Sequence, residues 1–207
     1  YKKSLLKSIS IKQLKKELGE EFEIVQTDHY VLACQAGKVY GDWCGLMFER
    51  LYKAFQGYWK SAALKPSEPE FQLAVVIYAD RLSFASKARE EMGEAANSSQ
   101  GYYSVRSNRV MIYDLAASAL RRPPRNRREI LKKMQSAPAN VVTVIHEATH
   151  QIAFNTGLYK RYADNPLWMT EGLAMYFEAP DMRSVTGWRT LGKVNQFRVR
   201  PAKNYFF

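Results

Sequence analysis

Cysteine, histidine and acidic residues are all scarce in this chain, and long apolar runs are missing altogether. Only two cysteines, Cys34 and Cys44, occur in 207 residues. They are too few for a disulfide scaffold and lack Cys-x-x-Cys spacing, so they read as core thiols. The longest apolar run, Leu73 to Ala79, falls far short of the ~20 residues a helix needs to cross a bilayer, so no transmembrane segment is expected. No charged-apolar-small leader opens the chain. Because it starts at Tyr1 rather than Met, the chain reads as a trimmed piece or an ordered fragment, and its first residues do not settle whether a targeting peptide preceded them. Acid is outnumbered, with 20 Asp plus Glu against 31 Lys plus Arg and a formal net charge of +11. Such a balance attracts nucleic acid, anionic lipid or acidic polymer without selecting among them.

What is present is enough for a core. At 46% hydrophobic and 25% charged residues, the chain excludes global disorder and low-complexity classes. The expectation is a single α+β domain over residues 1–207, with a mixed sheet and packed helices. Its margins are a basic amphipathic helix within residues 1–20, a basic insertion at 115–137 and a tail at 185–207 that begins a further region. Between them the spacing predicts a strand over Phe22 to Cys34, an amphipathic helix from about Tyr40 to Trp59 and a buried strand over Phe71 to Tyr78. A polar helix near Ser83 to Ala95 and further strand over Tyr102 to Tyr113 follow. The insertion RRPPRNRREILKK carries seven basic residues and no aromatic. It reads as a solvated loop, and nucleic-acid binding is not expected of it.

The informative stretch is Val141-Val142-Thr143-Val144-Ile145-His146-Glu147-Ala148-Thr149-His150. Residues four apart share a helix face, so His146 and His150 can aim both imidazoles at one metal ion. Glu147 then sits beside the ion as a general base for water activated by zinc. Two of the chain's three histidines occupy this motif. Its apolar positions Val141, Val144, Ile145, Ala148 and Ile152 form a stripe that a helix can bury, although the β-branched run also suits a strand. A third ligand is required. The metzincin extension fails, since Ala153 and Thr156 stand where Gly and His belong. After a helix stop at Asn155-Thr156-Gly157 and a restart at Asp164-Asn165-Pro166, Glu171 lies 21 positions past His150. A helix reversal brings its carboxylate back to the imidazoles. Gly172 suits close helix packing, with Trp168, Leu173 and Phe177 as anchors. His29 reads as an ordinary polar residue.

His-Glu-Ala-Thr-His followed by Trp-Met-Thr-Glu-Gly-Leu-Ala-Met-Tyr-Phe-Glu resembles the gluzincin metallopeptidases. Over about residues 20 to 180, the chain is similar to an uncharacterised bacterial family of gluzincin-like domains common in planctomycetes. Phe48-Glu49-Arg50-Leu51-Tyr52, Gly101-Tyr102-Tyr103-Ser104 and Asn108-Arg109-Val110-Met111-Ile112-Tyr113-Asp114 carry that narrower likeness. The resemblance implies Zn held by His146, His150 and Glu171. It also implies a substrate-binding edge strand, mapped onto Ser107 to Tyr113 with Asn108, Arg109, Val110 and Met111 as candidates. The acid expected four residues after the ligand Glu is replaced by Met175, and Glu178 is the candidate substitute for orienting a histidine. No acid stands between Gly101 and Tyr113 to hold a substrate amine, so an endopeptidase fits better than an aminopeptidase. An oxyanion donor is not assigned, with Tyr159 and Tyr162 as candidates.

The leading expectation is therefore a zinc-dependent peptide-bond hydrolase acting on a peptide or protein, with Glu147 as general base. The rival is a catalytically inactive, zinc-retaining binding module at the cell envelope. A nucleic-acid binder ranks last. Localisation is left open, leaning toward export or the envelope of a bacterium.

Overall fold

The Val- and Ile-rich segments pair into one five-stranded mixed sheet, and helices cover both of its faces. A computed structural model describes residues 11–114, 124–136, 138–179, 181, 188–196 and 198–199. In chain order the elements are α1 (Ile11–Leu18), β1 (Glu23–Gln26), β2 (Tyr30–Cys34), α2 (Lys38–Ser61), β3 (Leu73–Tyr78) and α3 (Arg81–Met92). A 3-10 turn (Gly93–Asn97), β4 (Gly101–Ser104), β5 (Arg109–Tyr113), α4 (Arg127–Ser136), α5 (Pro138–Asn155) and α6 (Leu167–Phe177) follow. The strand order is β1-β2-β3-β5-β4. The inner pairs β2/β3 and β3/β5 are parallel, while β1 and β4 add antiparallel at the two edges. The architecture is α+β, and no described helix is long and apolar enough to cross a membrane.

Every residue of β3 is buried, as a strand between parallel neighbours under two helical layers must be. Leu32, Val75, Ile77, Val110 and Ile112 face α2, α5 and α6 in the larger core. Ala33, Val76, Tyr78 and Met111 face the other way, with Phe84, Ala85 and Ala88 of α3. Both cysteines are buried thiols that form no disulfide. The hydrophobic spacing of residues 40 to 59 is realised as α2, which buries Cys44, Met47, Phe48, Leu51 and Phe55.

Four expectations change. The segment Phe22 to Cys34 is a hairpin rather than one strand. The chain reverses at Thr27–His29, where Thr27 N–H bonds the Tyr30 carbonyl at 2.9 Å. Residues 102 to 113 are likewise a hairpin, closed through Asn108 at φ 60°. There Asn108 N–H and Ser107 N–H bond the Ser104 carbonyl and hydroxyl. Consequently β5 lies inside the sheet between β3 and β4, and the substrate edge mapped onto it does not exist there. Val110 and Met111 are buried, Asn108 is buried in the turn, and Arg109 is engaged by Glu17 at 2.6 and 2.7 Å. The edge strand on that side of the sheet is β4.

The basic insertion is no loop in its second half: α4 packs on α2 and α5 through Ile130 and Met134. Residues 115–123, like residues 1–10, lie outside the described part. Over its described residues the tail packs onto the domain. Trp188 is buried, and its indole N–H reaches the Phe177 carbonyl at 3.2 Å.

Candidate metal centre

The β-branched run at 141–145 folds as helix because its apolar stripe is buried. Val141, Val144, Ile145, Ala148 and Ile152 all enter the core, and tertiary burial outweighs a weak intrinsic preference. Pro138 occupies the first helical position, where its missing N–H costs nothing. Gly157, at φ 79°, ends the turn after α5. Gln151, fully buried one turn after Glu147, donates to the carbonyls of Ala74 and Asn108 at 2.8 and 2.9 Å. These two bonds fix α5 to β3 and to the turn before β5, and so fix the height of the histidines below the sheet edge.

His146 and His150 lie one turn apart on the inner side of α5, at 7% and 9% exposure. The reversal through residues 156–166 returns the chain as α6, and Glu171 arrives over both rings. His146 Nε2 is 3.2 Å from His150 Nε2 and 3.1 Å from Glu171 Oε2, and His150 Nε2 is 3.3 Å from Glu171 Oε1. Ligand atoms held ~2.0–2.1 Å from a tetrahedral zinc stand ~3.3–3.4 Å apart. The contacts to Glu171 run to different oxygens, one for each ring, so the carboxylate spans both imidazoles at a spacing close to that of neighbouring ligands on one zinc ion. Two imidazoles and a carboxylate are borderline donors that suit a first-row divalent ion. This trio is the one set of converging metal-ligating side chains among the described residues.

Glu178, one residue beyond α6, lies behind His146, with Oε2 2.9 Å from Nδ1. A carboxylate there takes the Nδ1 proton and leaves the Nε2 lone pair facing the other two ligands. Burial alone would raise the Glu178 pKa. The His146, Arg198 and Asn195 side chains outweigh it with hydrogen bonds and hold the carboxyl at about 2. Burial also opposes a charge on His146, but the bond to Glu178 and the surrounding carboxylates raise its pKa overall. His150 is pushed down, by burial and by His146 beside it. At neutral pH His150 therefore offers a bare lone pair.

Glu147 points the other way, toward the sheet edge, where its Oε2 accepts the Tyr103 N–H of β4 at 2.8 Å. Burial pushes its carboxyl up to about 7, against the lowering influence of His146 and of that N–H. Along β4 runs a groove of about 440 Å³, lined on one side by Glu91 and Met92 and on the other by Tyr103, Phe154 and Tyr162.

Other expectations resolve as follows. Phe177 anchors α6 in the core, and Leu173 packs against its margin. Trp168, however, is 78% exposed, and a Cβ at Gly172 would meet nothing within 4 Å. That glycine does not serve close helix packing. It borders an apolar cavity of about 360 Å³ on the outer side of α6, together with Tyr58, Trp168 and Tyr176. Tyr159 is turned away, its hydroxyl donating to the Met169 carbonyl at 3.1 Å. Tyr162, at φ 57° and 83% exposed, projects beside the groove. His29 is removed from the centre and pairs with Glu49, Nδ1 to Oε2 2.7 Å. Sequence reasoning missed the Tyr103 N–H, Gln151, Asn195 and Arg198. None of them stands in a motif, and each acts only once the chain has folded back on itself.

A family model described as a protein of unknown function (DUF1570) matches residues 140–206, a stretch containing all three converging side chains and Arg198. Comparison with curated proteins finds no match, and neither does comparison with solved structures.

Proposed function

We propose that the protein is a metal-dependent peptide-bond hydrolase, with zinc the ion held by His146, His150 and Glu171. The observation that carries this reading is the convergence of the two ring nitrogens, 3.2 Å apart, on the Glu171 carboxylate, whose two oxygens lie 3.1 and 3.3 Å from them, with the Glu147 carboxylate beside the set and not part of it. A divalent ion in such a site supplies Lewis acidity, lowering the pKa of water toward neutrality and polarising a carbonyl.

The chain's own groups would do the rest. Glu147, poised near neutrality, accepts a proton from the attacking water and returns it to the leaving nitrogen. The Tyr103 N–H fixes that carboxylate in place. Glu178 sets the tautomer of His146. An extended peptide would lie in the groove beside β4, where Tyr103 N–H is held by Glu147 and the Gly101 N–H and carbonyl by the Ser99 hydroxyl. None of β4's own residues is an acid, and the acid in the groove wall, Glu91, is engaged by the Tyr102 and Ser104 hydroxyls. The lack of a free carboxylate to capture a terminal amine favours internal cleavage over aminopeptidase action.

Glu147→Gln tests the assignment. It keeps zinc at one equivalent by metal analysis and lowers kcat/KM on a peptide library by roughly 10²–10⁴-fold. A variant that cleaves as fast as the parent chain removes Glu147 from the mechanism. A parent chain that holds zinc yet cleaves nothing identifies a binding module instead.

A further inference from the structure

We propose that the segment bearing Asn195 and Arg198 is a clasp for the metal centre. By clamping Glu178 it fixes His146, so docking of this segment and occupancy of the site are coupled. The inference rests on the metal-binding reading above.

The Glu178 side chain has no exposed surface, and both of its oxygens are taken. Oε1 accepts from Asn195 Nδ2 at 2.7 Å and Arg198 Nε at 2.6 Å. Oε2 accepts from Arg198 Nη2 at 2.8 Å and from His146 Nδ1 at 2.9 Å. The two Arg198 bonds form the planar fork that guanidinium makes with carboxylate, which sets direction as well as charge. Arg198 Nη2 is also 3.3 Å from His146 Nδ1. One nitrogen cannot donate to Glu178 and accept from Arg198 at once, so that approach reflects two donors converging on one oxygen. Glu171 and Glu147 stand close enough to act on the guanidinium as well.

A buried carboxylate stripped of Arg198 and Asn195 keeps a single imidazole partner and is free to rotate. His146 then loses the acceptor that holds its Nε2 lone pair in the ligand triangle. The rest of the segment is tied down independently. Thr190 Oγ1 donates to the Ala179 carbonyl at 2.6 Å, Gly192 N–H to the Tyr176 carbonyl at 2.9 Å, and Arg189 pairs with Asp181. Removing the Arg198 side chain therefore leaves the backbone tethered. Coupling of this kind is reciprocal: what the clasp gives to metal affinity, the metal returns to clasp stability.

Zinc affinity of the full chain, measured by chelator competition, tests the clasp. Arg198→Ala is expected to weaken binding by roughly 10–100-fold. Arg198→Lys, which keeps the charge without the fork, should recover part of that loss, and millimolar methylguanidinium should restore Arg198→Ala toward the parent. Hydrogen exchange over residues 188–199 should slow on zinc loading in the parent and not in Glu178→Gln. Arg198→Ala binding zinc within twofold of the parent, or losing no more than the control Arg189→Ala, overturns the proposal. So does exchange that ignores zinc in the parent. A parent chain that fails to bind zinc overturns the metal reading and the clasp together, whereas equal binding by parent and variant overturns the clasp alone.

Discussion

Glu147 and Glu178 both lie near the histidine pair, one turned to the sheet edge and one bonded to His146, and their surroundings drive them in opposite directions. Glu147 has one N–H partner and a desolvated setting, and it rises to about 7. Glu178 has a guanidinium, an amide and an imidazole, and it stays near 2 despite full burial. A carboxyl that can take up a proton near neutrality and a fixed acceptor are thus distinguished by their hydrogen bonds rather than by residue type. Glu49 shows the acceptor pattern far from the centre. Burial would raise it, but Thr27 Oγ1 at 2.6 Å, His29 Nδ1 and His29 N–H at 2.7 Å bring its carboxyl below the ordinary 4.5. A depressed carboxyl contributes stability above its unfolded value and loses it as pH falls through the folded value. Glu49→Gln is therefore expected to cost about 1–3 kcal/mol near pH 7. The difference from the parent should shrink between pH 5 and pH 3 in denaturant melts. A pH-independent difference contradicts the account.

At the scale of elements, the centre is a reversal of α5 into α6 beneath the β4 edge, and each part was legible to a different degree. The His146/His150 spacing and the carboxylate of Glu171 could be read from sequence because helix period and a Gly157 stop fix them locally. Glu178 could be placed because it lies two turns past Glu171. The hairpin of β4 and β5 could not be read. Its turn uses Asn108 in the left-handed region and the Ser104 hydroxyl, with neither Gly nor Pro to mark it, so the run from Tyr102 to Tyr113 looks like one strand. The clasp was illegible because Arg198 meets Glu178 only through the fold of the tail. Gly101 shows how narrowly β4 is set against α5. A Cβ there would meet Ile112 Cγ2 at 2.7 Å, the Met111 carbonyl oxygen at 3.1 Å and Thr143 Cγ2 at 3.3 Å. Gly101→Ala should displace β4 and loosen the Tyr103–Glu147 bond. Turnover is expected to fall by ~10²-fold, with zinc content unchanged by metal analysis. Undiminished turnover would show that the position of β4 does not matter.

For the whole molecule, three layers carry the site on buried elements: α5 is buried against α2, α6 and the sheet, and the polar ties of Gln151 cross to β3 and to the turn before β5. Such preorganisation means that an ion need not rebuild the fold, only add its binding energy to it. At a free zinc concentration ~100 times Kd that addition is about 2.7 kcal/mol. In a chain of this size it should raise Tm by ~5–10 °C, and chelator should reverse the rise. A Tm indifferent to zinc would mean that the triangle does not hold it.

The central claim is that one divalent ion is gripped by His146, His150 and Glu171 together. Anomalous diffraction at the zinc absorption edge, from crystals of the zinc-loaded protein, tests it most directly. The account predicts a single strong peak ~2.0–2.2 Å from His146 Nε2, His150 Nε2 and a Glu171 carboxylate oxygen. A peak held by other residues, or none at that triangle under saturating zinc, would contradict it.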